Sequence, residues 1–113
     1  MSRVQIAPSA LLKVPGRPDP LTIGLLELKF HIPENHSLKG KRQVLLSLKD
    51  RIRRRFNVSV SETEDQELWQ AATLAVCCVG TDQASVNRHL SQVADLAREE
   101  REAALTDVQM EFL

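Results

Sequence analysis

The sequence predicts an α+β fold, a ferredoxin-like βαββαβ two-layer sandwich with a four-stranded antiparallel sheet and two helices on one face. Four segments show the two-residue alternation or the continuous apolar run that is typical of strands, and two show the apolar spacing of amphipathic helices. They follow one another as strand, helix, strand, strand, helix, strand, and the length of 113 residues suits a single core. Two crossovers of the usual hand would place the first and third strands in the centre of the sheet.

The chain divides at about residue 20. Four of its five prolines lie in residues 1–20, which predicts an irregular or mobile N-terminal extension, whereas residues 21–113 carry the patterns of one domain. No apolar run approaches the roughly 20 residues that span a bilayer, and the first residues lack a secretory signal. We therefore expect a cytoplasmic protein with no membrane contact.

The first strand and the first helix have clear boundaries. Residues 22–32 alternate in polarity, and Pro33 ends the strand. Ser37 is a favourable N-cap for a helix over residues 37–56, although Gly40 weakens its first turn by about 1 kcal/mol relative to alanine. The apolar positions predicted to be buried are Leu26, Leu28, Phe30 and Ile32 in the strand and Leu38, Leu45, Leu48, Ile52 and Phe56 in the helix.

The second half supplies the remaining elements. Residues 58–61 alternate as a second strand, the acidic residues 62–67 suggest a solvated loop, and residues 68–79 contain an apolar run suited to a central strand. Asp82 caps a second helix over residues 83–101, and residues 107–112 alternate as the last strand. The predicted buried positions are Val86, Leu90, Val93 and Ala97 in the helix and Val108, Met110 and Phe112 in the strand.

One face of the sheet is expected to be open. It would display Glu27, Lys29, His31, Ser59, Ser61, Thr73, Ala75, Cys77, Gln109 and Glu111, with Leu25 and Trp69 near its margin. Ala75, Cys77 and Val79 would form an exposed apolar strip, which favours a homodimer. The adjacent cysteines, Cys77 and Cys78, should point to opposite faces, where they are poorly placed to form a disulfide with each other or to bind a metal. We expect them to be small buried hydrophobic residues in a reducing compartment.

The net charge of zero conceals a division of the chain. Residues 1–60 hold 12 basic and 4 acidic residues, a net charge of +8, while residues 61–113 hold 3 and 11, a net charge of −8. Such asymmetry points to nucleic-acid contact or self-association. Folding could also interleave the two halves and cancel the field, so both interpretations stay open.

The first helix carries the strongest functional pattern. Eight basic residues face one acid, Asp50, and form the predicted phosphate- or RNA-binding set: Lys39, Lys41, Arg42, Lys49, Arg51, Arg53, Arg54 and Arg55. Four of them recur at helical spacing, with Leu46 between them, and we call this set the basic strip: Lys39, Arg42, Lys49 and Arg53. Such a strip can follow a phosphate backbone. The alternatives are a solvated helix or one that pairs with acidic residues of a partner subunit.

The sequence shows no catalytic constellation. His31, His36 and Ser37 form a possible loop site, but a zinc site needs three or four ligands, and Ser37 already has a role as N-cap. No acid that would orient a nucleophile and base is identifiable, and the loop lacks the glycines of an acylphosphatase phosphate cradle. We therefore expect no catalytic residue, no metal and no cofactor. The alternative function is a dimeric small-molecule-binding or regulatory module that uses the open sheet face or the loop after the first strand.

Several segments together resemble the YlxP-like family of small bacterial proteins, a family of unknown function. They are H-I-P at 31–33, S-L-K-G-K-R at 37–42, L-K-D-R-I-R at 48–53, R-F-N-V-S-V at 55–60 and L-W-Q at 68–70, within a resemblance over about residues 22–113. Many members have an acidic residue at the position of Gly40, and many have Asp at the position of Glu67. The resemblance implies a ferredoxin-like fold, no accepted catalytic residues, and a gene near those of translation initiation factor 2 and ribosome-binding factor A. A role near the ribosome or its RNA is therefore expected.

Overall fold

The computed structural model describes residues 21–33, 37–64 and 68–113. The elements follow the predicted order: β1 Thr22–His31, α1 Leu38–Arg55, β2 Ser59–Glu64, β3 Ala71–Gly80, α2 Gln83–Arg98 and β4 Ala104–Phe112. The predicted N-terminal extension, residues 1–20, lies outside the described residues, as do residues 34–36 and 65–67.

The four strands form one antiparallel sheet in the order β2-β3-β1-β4. β1 and β3 are central, and Thr22 pairs with Gly80 at one end of their ladder while His31 pairs with Ala71 at the other. The predicted ferredoxin-like α+β architecture is confirmed.

The core lies between the sheet and the two helices. Even-numbered positions of the three strands β1, β2 and β3 point into it, because side chains alternate between the faces of a strand. Its buried hydrophobic residues are Leu26, Leu28, Phe30, Ile32, Leu45, Leu48, Ile52, Val60, Ala72, Leu74, Val76, Cys78, Val86, Leu90, Val93, Ala94, Leu96, Ala97 and Ala103. The inward residues of β4 are only partly buried, since this strand lies at the sheet edge.

Two glycines allow α2 to lie close to the sheet. A Cβ atom built on Gly24 would fall 2.5 Å from Val86 Cγ1 and 2.7 Å from Leu90 Cδ1. A Cβ atom on Gly80 would fall 2.7 Å from Val86 Cγ2. The first half of α2 therefore packs where β1 and β3 have no side chain.

Four boundaries differ from the sequence prediction by three residues. β3 starts at Ala71 rather than at residue 68. β2 continues through Glu62 to Glu64, where a loop was expected, and an irregularity between these residues shifts the register with β3. α2 ends at Arg98 rather than residue 101, because the next two amides bond to carbonyls only three residues back. β4 starts at Ala104, three residues before the predicted start. A register shift between Lys29 and Phe30 leaves one extra residue in β4 at that point.

Thr73 shows how the open sheet face differs from a plain solvated surface. Its register places it on that face as expected, yet it is buried. Lys29 and Glu64 are its neighbours on the flanking strands, and their side chains form an ion pair of 3.4 Å between Nζ and Oε2. We attribute the burial of Thr73 to this pair, which joins the strands on either side of it.

Candidate nucleic-acid interface

The start of α1 is fixed by its cap. Ser37 has extended backbone angles, and its hydroxyl accepts a hydrogen bond of 3.0 Å from the Gly40 amide. The predicted N-cap is confirmed, and the hydroxyl oxygen is thereby engaged with the backbone. His31 is exposed at the end of β1, whereas His36 lies outside the described residues, so the predicted loop site is not seen as an assembled group.

Lys41 does not belong to the exposed basic surface, which corrects its place in the predicted set. Its side chain is 1% exposed, and its ammonium lies 3.1 Å from Glu62 Oε2. It also donates a hydrogen bond of 2.8 Å to the Leu68 carbonyl. The charge of Lys41 therefore joins α1 to β2 and to the segment before β3. The sequence held a signal for this, because Lys41 lies four residues before Leu45 on the buried stripe of the helix.

Other basic residues of α1 are engaged within the domain. Arg51 forms an ion pair with Glu100, whose side chain is 8% exposed. Arg53 Nη2 donates to the Val60 carbonyl at 2.9 Å, and Arg54 Nε donates to the Asp50 carbonyl at 3.4 Å. Arg53 and Arg54 nevertheless stay exposed, and their positive charges are not paired with a described carboxylate.

The basic strip is solvent-accessible. Lys39 and Arg42 are exposed and Lys49 is half-buried, and none of the three forms an ion pair with a described residue. Leu46, in the middle of the strip, is 56% exposed. From Lys39 to Arg53 the strip runs about 21 Å along the helix at 1.5 Å per residue. Uncompensated cations along a rigid helix can contact successive phosphates.

The open sheet face carries the opposite charge. Glu27, Glu111 and Asp107 project from β1 and β4, and Glu64 projects from β2. Among these described positions Lys29 is the cation, and it is paired with Glu64. The basic strip of α1 and the open sheet face therefore present surfaces of opposite sign.

An apolar strip crosses the middle of this face. Ile23 and Leu25 of β1 pair with Val79 and Cys77 of β3, and all four side chains belong to the open face. Val79 is 63% exposed, while the other three are half-buried. Of the three residues predicted to form an exposed apolar strip, Val79 is exposed, whereas Ala75 and Cys77 are half-buried.

The two cysteines occupy opposite faces, as predicted. Both are free thiols, with Cys77 half-buried on the open face and Cys78 buried in the core. Burial, and to a lesser extent the neighbouring Cys77, raises the pKa of the Cys78 thiol above its ordinary value. Within the described ranges, no group of three or more His, Cys, Asp or Glu side chains is arranged to hold a metal ion.

The comparisons with known proteins agree with this fold. The family model described as "Protein of unknown function (DUF503)" matches residues 23–110. The chain belongs to the DUF503 family. The Uncharacterized protein YlxP of Bacillus subtilis (strain 168) is 34% identical to this DUF503 protein over 71 residues, which are 63% of this chain and 77% of that protein. The predicted YlxP-like resemblance is thereby confirmed.

The similarity to solved structures concerns the fold of the DUF503 domain and nothing further. The de novo designed protein Foldit4 superposes with a TM-score of 0.52 at 9% identity, covering 82% of this chain and 96% of the design. A second design, Ferredog-Diesel, gives a TM-score of 0.42 at 12% identity over 79% of this chain and 83% of its own. The matched names describe an uncharacterised family and assign it no enzymatic activity. In the described part of the DUF503 chain, no helix is long and apolar enough to cross a bilayer.

Proposed function

We propose that this protein is a non-enzymatic, cytoplasmic binding protein that contacts the phosphate backbone of ribosomal RNA, on the ribosome or on an assembling particle, through the basic strip of α1. The observation that carries the proposal is a row of three cations that form no ion pair with a described residue: Lys39 and Arg42, which are exposed, and Lys49, which is half-buried. Each phosphate contact would release counterions and make the affinity fall with salt.

The distribution of charge also orients the protein. The acidic residues of the open sheet face, among them Glu27 and Glu111, would be repelled by a phosphate surface. Among the described residues, the open face has no exposed Phe or Tyr on which bases could stack, as they do on the sheet of an RNA-recognition motif. These two features favour contact through the helix layer, with the sheet layer pointing away. The ribosomal part of the proposal rests on the gene neighbourhood that the family resemblance implies.

The test is co-sedimentation of the full chain with ribosomal particles over a range of salt concentrations. We expect binding at low salt that is lost in the triple variant Lys39→Glu, Arg42→Glu and Lys49→Glu. The matched control reverses three exposed arginines elsewhere: Arg88→Glu, Arg98→Glu and Arg101→Glu.

Both triple variants change the net charge by the same amount, so a loss confined to the strip variant assigns the contact to α1. Removing three phosphate contacts should also reduce the slope of log affinity against log salt by about 2 to 3. Equal sedimentation of the two variants would exclude the basic strip as the contact.

We also propose that two copies pair through their open sheet faces. The face measures at most about 33 Å by 19 Å, from ten residues per strand and four strands, which gives about 600 Å² per copy. Two such faces approach the lower limit of a stable interface, about 1,200 Å² in total. Val79 supplies the exposed apolar contact.

Light scattering at micromolar concentration tests this pairing. We expect twice the chain mass of 12.7 kDa for the native protein and a single chain mass for Val79→Asp. Leu46→Asp is the control, because it also places a charge at an exposed apolar residue but lies on α1. A native monomer under these conditions would remove the argument for the interface.

A groove near the start of α1 favours the second candidate function, a dimeric small-molecule-binding or regulatory module. The groove has a volume of about 400 Å³, in the range of ligand pockets, and is lined by Ile32, Pro33, Gly40, Gln43, Val44, Arg101 and Glu102. A ligand there would raise the melting temperature of the native protein in a metabolite screen. A flat screen together with salt-dependent RNA binding would favour the first candidate.

A further inference from the structure

A second groove lies at the C-terminal end of α1. It has a volume of about 300 Å³ and opens between the last turn of α1 and the middle of α2. We call it the Arg55 groove, and its lining residues are Arg55, Phe56, Asn57, Val58, Cys78, Val79, His89 and Gln92. A neighbouring groove that shares Arg55 and Gln92 continues along α2.

The floor of the Arg55 groove is apolar and uncharged. Val58 is half-buried in the segment before β2, and Cys78 is buried in β3. Burial raises the pKa of the Cys78 thiol, so the floor bears no thiolate at neutral pH. Uncharged apolar side chains suit the face of a planar ring.

The walls carry planar and amide groups. The Arg55 guanidinium lies 5.7 Å from the centre of the Phe56 ring, and His89 lines the groove from α2. The side chains of Asn57, His89 and Gln92 make no hydrogen bond or ion pair with another described residue. Their donors and acceptors are therefore available to a ligand.

This combination fits a nucleobase better than a bare anion. Side-chain amides offer a donor and an acceptor together, which match the edge of a base, and guanidinium, imidazole and aromatic groups stack on its face. A phosphate would instead require several permanent cations, and Arg55 is the one that lines this groove. The neighbouring groove adds Asp95 and Glu99, which would disfavour an anion further.

We propose that the Arg55 groove accepts one unpaired nucleobase of the RNA whose phosphates contact the basic strip, an inference that rests on the proposed function. Arg55 follows the last residue of the strip, Arg53, by two positions at the same end of the helix. Residues two apart lie on opposite sides of a helix, so an RNA strand on the strip would pass around the end of α1, about 10–12 Å across, to place a base in the groove. The RNA segment at this end of α1 would be single-stranded or bulged, since a paired base cannot enter.

The experiment compares a short single-stranded RNA with an abasic oligonucleotide of the same length and phosphate number, using fluorescence anisotropy and the full chain at low salt. We expect the native protein to bind the intact strand about ten-fold or more tightly, which is the scale of one stacked base. Gln92→Leu and His89→Ala should each reduce that preference, while Gln83→Leu, an exposed position on the same helix, should leave it unchanged.

The triple strip variant should weaken both oligonucleotides equally, which separates the groove from the phosphate contact. Equal affinity of the native protein for the intact and abasic strands would overturn the inference and leave the proposed function standing.

If neither strand binds, the proposed function fails, and titration with nucleoside monophosphates decides the fate of the groove. Shifts of the Asn57 and Gln92 side-chain amide signals in NMR spectra, absent with inorganic phosphate, would support it. No shift at these amides would overturn it.

Discussion

Replacing Lys41 with methionine should destabilise the fold far more than the loss of an exposed charge on α1. The substitution keeps a side chain of similar length and apolar character but removes the ammonium that lies 3.1 Å from Glu62 and 2.8 Å from the Leu68 carbonyl. Glu62 would then retain a negative charge that is only 19% exposed.

The expected cost follows from the burial of that carboxylate. Removing one partner of a buried ion pair costs about 3–5 kcal/mol, because the remaining charge loses that partner where water reaches it poorly. Water can reach part of Glu62, and Leu68 is half exposed, so we expect the lower end, about 3 kcal/mol. For a domain of this size that corresponds to a fall in melting temperature of roughly 12–24 °C.

Urea unfolding at neutral pH is the measurement, with Lys39→Met as control because Lys39 is exposed on the same helix. The control should change the free energy of unfolding by less than about 0.5 kcal/mol. The double variant Lys41→Met and Glu62→Leu should recover most of the loss, since an apolar pair of similar volume can replace a buried ion pair. If Lys41→Met costs no more than Lys39→Met, the ion pair does not contribute to the folded state and this reasoning is refuted.

Gly24→Ala should lower the free energy of unfolding by about 1–3 kcal/mol, because its Cβ would overlap Val86, and Val86→Ala in the same chain should relieve part of the loss in urea titrations. A neutral effect of Gly24→Ala would contradict the close approach of α2. Iodoacetamide should alkylate Cys77 first and Cys78 only on unfolding, as peptide mass spectrometry would reveal; equal rates would contradict the burial of Cys78. The pKa of the Cys78 thiol is raised in the folded protein, so the unfolded thiol loses its proton first as the pH rises. The free energy of unfolding should therefore fall once the pH passes the ordinary pKa of a cysteine thiol. A Cys78→Val variant should show a shallower fall.

The secondary-structure elements and the core residues could be predicted from the sequence, because the signals for them come from residues close together in the chain. Alternation in β1 and the apolar run of β3 report which side chains face inward, since the period of a strand is two. The N-cap at Ser37 was accessible for the same reason, because its partner, the Gly40 amide, lies three residues along. Such signals need no knowledge of distant segments.

The sequence predictions were wrong at positions whose structure depends on a contact with a residue distant in the chain. The sequence suggested a solvated loop at Glu62, but the buried ammonium of Lys41 makes an acidic strand residue favourable there. Thr73 was expected to be accessible on the open face, and it is buried where Lys29 and Glu64 pair on its flanking strands. These contacts join residues far apart in the chain, which no local period encodes.

By itself, then, the sequence determined the βαββαβ order, the inward parity of the strands and the concentration of positive charge on α1, because each depends on residues a few positions apart. Tertiary structure decided which of those charges reach solvent. Lys41 and Arg51 are drawn to Glu62 and Glu100 by burial and proximity, whereas Lys39 and Arg42 meet no described carboxylate. The basic strip and the open sheet face carry opposed signs because the fold places α1 on one side of the sheet and leaves carboxylates of its strands on the other.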